Sequence, residues 1–103
     1  MKILNLGCGN QTYGDVRVDI SRTPATTLLF DMNNKFPLKS NSFHEIYCKS
    51  TLEHIKNLGT FVDECYRVLK KDGKIYIRTD YAGFLLAYLW KKHEPNHALD
   101  VQY

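Results

Sequence analysis

The apolar residues of this chain fall into short runs separated by polar turns, and the runs show two different periods. Ile3 to Leu6 is a mainly apolar run that predicts a first strand. Val16 to Asp19, inside "DVRVDI", alternates valine with polar residues and predicts a second. Thr26 to Phe30 is rich in β-branched and aliphatic residues and predicts a third; Glu45 to Lys49 predicts a fourth. Lys74 to Thr79, "KIYIRT", alternates most regularly and predicts a fifth.

The period changes between the fourth and fifth strands. Apolar residues at positions 58, 61, 62, 65, 66, 68 and 69 form one stripe and predict a helix from Leu58 to Lys70. Asn57 can cap its start, Lys70 and Lys71 suit its negative end, and Gly73 lies just past the stop. A second helix is predicted from Ala82 to Lys92, apolar on nearly all sides and halted by Pro95. The tail beyond Pro95 carries no strong pattern. Strands mixed with helices in this order predict an α/β domain with a mainly parallel sheet.

The connections between early strands are short for such a sheet. Cys8 to Asp15, between the first and second strands, is only eight residues, whereas a parallel crossover normally holds a helix. Extended, eight residues reach about 26 Å, so an extended return is feasible and a full helix is not. The second connection, Ile20 to Ala25, is equally short. One face of the sheet is therefore expected to lack its usual helical cover.

Composition narrows the class. The length of 103 residues fits one domain, residues 1–103, and the net charge of +3 is mild, with Lys and Arg scattered. That gives no strong nucleic-acid signal. Three widely spaced cysteines, Cys8, Cys48 and Cys65, form no disulfide framework and no zinc spacing, so reduced thiols in the cytoplasm are expected. No leader pattern is seen, and Phe84 to Trp90 is too short to span a bilayer, so no membrane association is expected.

The candidate chemistry lies at the carboxyl end of the first strand. Gly7 and Gly9 sit where ligands bind in open parallel sheets, and a Cβ at either position would keep the backbone away from a ligand. Asp19 closes the second strand and can accept both hydroxyls of a ribose diol. Asp31 follows the third strand on the same edge and can accept from an exocyclic amine. The competing readings are a plain turn for the glycines and solvated strand ends for the aspartates. A nicotinamide dinucleotide fits less well: the third glycine, Gly14, comes two positions too late for G-x-G-x-x-G, and no helix follows to hold a pyrophosphate. The turn suits a nucleoside without phosphate.

Four blocks in order resemble the class I S-adenosylmethionine-dependent methyltransferases, in particular the short-loop subgroup whose glycine motif reads L-N-L-G-C-G-N. They are "LNLGCGN", "VDI", "FDMNNKFPLKSNSFHEIYCKSTLEHI" and "ECYRVLKKDGKIYIRTD". The resemblance implies a Rossmann-like methyltransferase core of strand order 3-2-1-4-5, truncated at the C-terminus, where the family carries two more strands. It also implies S-adenosylmethionine as cofactor. Gly7 and Gly9, with Leu6 and Cys8, would line the methionine end of the cofactor. Asn5 stands where most members have an acid that holds the methionine amino group. Asp19 would bind the ribose, Ile20 would pack on the adenine, and Asp31 would accept from the adenine amine beside Met32 and Asn33. Lys49 and Ser50 would face the methyl group. His54 would lie near the substrate as the candidate catalytic residue, against a plainer reading in which its ring bonds at a helix start.

The expected function is methyl transfer to an unidentified acceptor, with small molecules, sugars and macromolecules all open. The alternative is a non-catalytic cofactor-binding module or the partner subunit of a larger methyltransferase. "HEPNH", residues 93 to 97, matches the H-E-x-x-H zinc pattern, but Pro95 breaks the helix that pattern needs, so no metal is expected. The Phe84 to Trp90 cluster and the free edge expected at the fifth strand point to a homodimer.

Overall fold

A computed structural model describes residues 1–49, 51–79 and 98–102. The predicted second helix, the Phe84 to Trp90 cluster, Pro95, "HEPNH" and Ser50 lie outside the described residues.

Six parallel strands form one sheet in the order β3-β2-β1-β4-β5-β6. They are β1 (Ile3–Leu6), β2 (Val16–Asp19), β3 (Leu28–Leu29), β4 (Phe43–Lys49), β5 (Leu69–Arg78) and β6 (Ala98–Gln102). The first five strands take the predicted order 3-2-1-4-5, in the α/β arrangement of a Rossmann-like core. β1 and β2 have the predicted bounds. β3 is shorter than the Thr26 to Phe30 run, because Thr26 is taken up in a turn with Thr23. β6 departs from the expectation that the sheet ends at the fifth strand. Its residues do alternate, with Leu99 and Val101 between Ala98, Asp100 and Gln102, but five residues give a weak signal. Because β6 pairs with β5 along Lys74 to Arg78, that strand has no free edge there, and the edge argument for a homodimer does not apply.

Strand pleating sorts the side chains onto two faces. Leu4, Leu6, Val18, Ile46, Cys48, Ile75 and Ile77 point to one face and are buried. Against them packs α1 (Leu58–Val68), through Phe61, Val62, Cys65 and Val68. The opposite face carries Arg17, Asn5, Tyr47, Tyr76 and Asp100 in one row across β2, β1, β4, β5 and β6. Among the described residues no helix packs on that face. Tyr47 and Tyr76 stack there with centroids 5.1 Å apart, and Tyr13 meets Tyr47 edge-on at 4.8 Å. Glu45 accepts from the Tyr13 hydroxyl, which raises that phenol to about 12.

The start of α1 follows its sequence: Asn57 Oδ1 accepts from the Thr60 amide at 3.3 Å. Its end does not. The helix stops at Val68, and Leu69 is already extended. The last carbonyls are satisfied from another segment, with the Asn41 amide on Arg67 O and the Ser42 amide on Val68 O. Gly73 therefore caps nothing. Phe43 pairs with Leu69 and Glu45 with Lys74, so Lys70 to Gly73 are looped out of the ladder. Asp72 takes the positive φ of 64° in that loop, and a Cβ on Gly73 would lie 2.6 Å from the Leu69 side chain.

A partly buried ion pair ties the long β3–β4 connection to α1. Arg67 Nε and Nη2 donate to Glu64 Oε2 and Oε1 at 2.8 and 2.9 Å. The Phe36 amide donates to Glu64 Oε1 at 2.7 Å, and Arg67 also reaches Phe36 O and the Ser40 hydroxyl. Hydrogen bonding from Arg67 holds the Glu64 carboxyl below the ordinary glutamate value of 4.5, against the opposing effect of burial. The Glu-x-x-Arg of the last sequence block is thus a fastening for the 36–40 loop, not part of a binding site.

Candidate functional site

The short crossovers put polar groups where longer ones would put helices. The chain leaves β1 at Gly7 with φ 78°, and the Gly7 and Cys8 amides both donate to Val18 O, at 2.8 and 2.9 Å. Gly9, with φ 53°, turns its amide onto Asp19 Oδ2 at 2.9 Å. Its carbonyl accepts from the Thr23 hydroxyl. Arg17 reaches across to Ala25 O at 2.6 Å and Gly14 O at 3.1 Å. No helix can form in these few residues, so hydrogen bonds from side chain to backbone fix the loops instead.

The two glycines differ in what requires them. A Cβ on Gly7 would lie 1.9 Å from Thr51 Oγ1, so this position is filled by the protein itself. Thr51 is buried behind the turn, and its hydroxyl donates to Leu6 O at 3.3 Å or Lys49 O at 3.2 Å. A Cβ on Gly9 would meet nothing within 4 Å. Gly9 faces open space and leaves its backbone approachable. The expectation of ligand approach at both positions therefore applies to Gly9, while the space at Gly7 is occupied by Thr51.

That open space is a cleft of about 460 Å³ at the carboxyl edge of the sheet. Its floor is Gly7, Cys8 and Gly9, with Asn10 and Gln11 continuing the loop. Asp19, Ile20 and Met32 form one side, from the ends of β2 and β3. Lys49, Thr51 and His54 form the other, from the end of β4 and the 3-10 turn Leu52–His54. Ile20, at 64 % exposure, stands open on the Asp19 side. His54 is largely exposed, with Nε2 3.9 Å from Glu53 Oε1.

Several residues singled out from sequence lie elsewhere. Asn5 is fully buried and does not line the cleft; its Nδ2 donates to Tyr13 O at 3.0 Å, and among the described residues its Oδ1 has no hydrogen-bond partner. The Leu6 side chain is core. Asp31 Oδ1 accepts from the Asn33 amide and side chain, at 2.9 and 3.0 Å. Asn33 Oδ1 in turn accepts from the Lys56 and Asn57 amides, at 2.7 and 2.9 Å. This pair braces the β3 loop against the start of α1. Asn10, Gln11 and Thr51 had no assigned role in the sequence. Thr51 gave no local signal, because its partner Leu6 is 45 positions away.

Cys48 and Cys65 belong to the core, and Cys8 lies in the floor of the cleft. Cys8, Cys48 and Cys65 are free and buried. Burial pushes the Cys48 thiol up to about 12, and Cys65 well above its usual value. Among the described residues no cluster of side chains could hold a metal ion, and no helix is long and apolar enough to cross a membrane.

A family model described as "Methyltransferase domain" matches residues 10–77, more than half of the chain. Neither the curated proteins nor the solved structures give a significant match.

Proposed function

The chain belongs to the methyltransferase-domain family, and on that premise we propose that the cleft binds S-adenosylmethionine and delivers its methyl group to an acceptor entering beside Lys49 and His54. The observation that carries this reading is the contact between Asp19 and Gly9 beneath an open rim. Asp19 is fixed through Oδ2 by the Gly9 amide and through Oδ1 by the Ser21 amide at 3.3 Å. Each oxygen keeps a free lone pair, so the carboxylate is already oriented for a ribose diol. Gly9 leaves room for close approach, and the exposed Ile20 offers an apolar plate for a purine face. An acid in place of a helix N-terminus disfavours a pyrophosphate. These features fit a nucleoside cofactor, and the short helix-free first crossover supports the short-loop subgroup.

Asp31 serves here as a brace through Asn33. The cofactor supplies an activated sulfonium methyl when bound. The protein's task is then to hold the acceptor in line with it. His54 is the side chain at the acceptor side that can take up a proton from a hydroxyl or ammonium nucleophile. The three buried free thiols support a reducing, cytoplasmic setting.

Calorimetric titration with S-adenosylhomocysteine tests the reading. The parent chain should bind, and Asp19→Ala should bind at least tenfold more weakly, about 1.4 kcal/mol or more. Absence of binding to the parent would reject the cofactor assignment. Release of labelled methyl groups to candidate acceptors, with His54→Gln as comparison, separates an active enzyme from a binding module.

A further inference from the structure

Among the described residues, Lys49 at the acceptor side of the cleft has a second cation beside it on the neighbouring strand. Lys49 closes β4 and lines the cleft. Its register partner on β5 is Arg78, so two like charges sit opposite each other on neighbouring strands, about 4.8 Å apart at the backbone. Like charges placed this way repel. Both side chains are exposed, and among the described residues neither has an ion-pair or hydrogen-bond partner. Among the described residues the charged groups nearby are His54, on the same side of the cleft, and Glu53, which lies 3.9 Å from His54 Nε2 and accepts from the Thr79 hydroxyl. The acid of the cleft, Asp19, stands two strands away beyond β1, about 10 Å distant.

We propose that the methyl acceptor is a small anion whose carboxylate or phosphate group docks between Lys49 and Arg78. This inference rests on the cofactor reading above, because a cationic methyl donor makes the charge requirement stronger. A sulfonium beside two unpaired cations is unfavourable, and an anionic acceptor relieves both repulsions at once. Its charged group would sit on the Lys49–Arg78 pair and hold the nucleophile towards His54. The two cations thus set specificity without taking part in the bond exchange.

The test uses the full chain saturated with S-adenosylhomocysteine, titrated separately with inorganic phosphate and with acetate at low ionic strength and followed by NMR shifts. Lys49→Gln/Arg78→Gln is the comparison; both positions are exposed, and its melting temperature should match the parent's. One of the two anions is expected to shift resonances at Thr51 and His54, with affinity at least tenfold lower in the double variant. The anion that binds names the acceptor's group. Binding of neither anion, or equal binding to parent and double variant, would overturn the proposal while leaving the cofactor reading intact. Failure of S-adenosylhomocysteine to bind the parent would overturn the cofactor reading, and the proposal with it.

Discussion

The two halves of the sheet are built by different means. From β4 through α1 to β5, apolar packing does the work: Phe61, Val62, Cys65 and Val68 lie on Ile46, Cys48, Ile75 and Ile77. From β1 to β3, the connections are too short for a helix, and hydrogen bonds linking Gly9 with Asp19 and Thr23, Thr23 with Thr26, and Arg17 with Gly14 and Ala25 take its place. The half whose connections hold no helix is also the half whose backbone and carboxylate remain open at the rim. A helix behind the glycine turn would stabilise it, but the polar web orients Asp19 directly.

The comparison predicts that stability and binding can be damaged separately. Phe61→Ala should have the largest effect, lowering unfolding free energy by about 3–5 kcal/mol through the cavity it leaves. In chemical denaturation the midpoint should fall, while S-adenosylhomocysteine affinity, measured where the variant is folded, should change less than threefold. A loss of affinity as large as that of Asp19→Ala would show that the two halves are not separable.

The glycines sharpen the contrast within a single turn. Gly7→Ala should destabilise by about 2–4 kcal/mol, combining an overpacked contact on Thr51 with a left-handed backbone. Gly9→Ala should cost about 1–2 kcal/mol from its backbone conformation alone, yet weaken cofactor-analogue binding more than its stability loss suggests. Equal losses of stability in the two variants would remove the distinction between a structural and a ligand-facing glycine.

The smallest effect concerns pH. The Glu64 carboxyl has its folded-state pKa lowered by Arg67, so its contribution to stability is present above the ordinary value of 4.5 and is lost as pH falls through the lower folded value. Glu64→Gln should be less stable at neutral pH and should lose less on acidification below 4.5, as read from thermal melts across that range. An unchanged acid limb would mean that the Glu64–Arg67 pair adds no net stability.

The legible part of the fold is the part written locally. The bounds of β1 and β2 and the cap at Asn57 follow from periodicity and residue type, which depend only on neighbours a few positions away. The early crossovers were readable as helix-free by counting residues against the length of a strand. The end of α1 was not readable in this way. Gly73 looked like a stop signal, but the carbonyls of Arg67 and Val68 are met by the Asn41 and Ser42 amides, far away in sequence. β6 was hidden because five residues give too little alternation to stand above the background.

The sequence by itself placed Gly7, Gly9 and Asp19 at the carboxyl ends of predicted strands, because hydrophobic period and turn chemistry are local properties. Only the tertiary structure decided what each of them does there. Thr51, brought in from the end of β4, makes Gly7 a packing residue. Asn33 turns Asp31 into a brace, and Lys49 meets Arg78 across the ladder. Each of these outcomes depends on which atoms meet across the sheet, and no short-range pattern records that meeting.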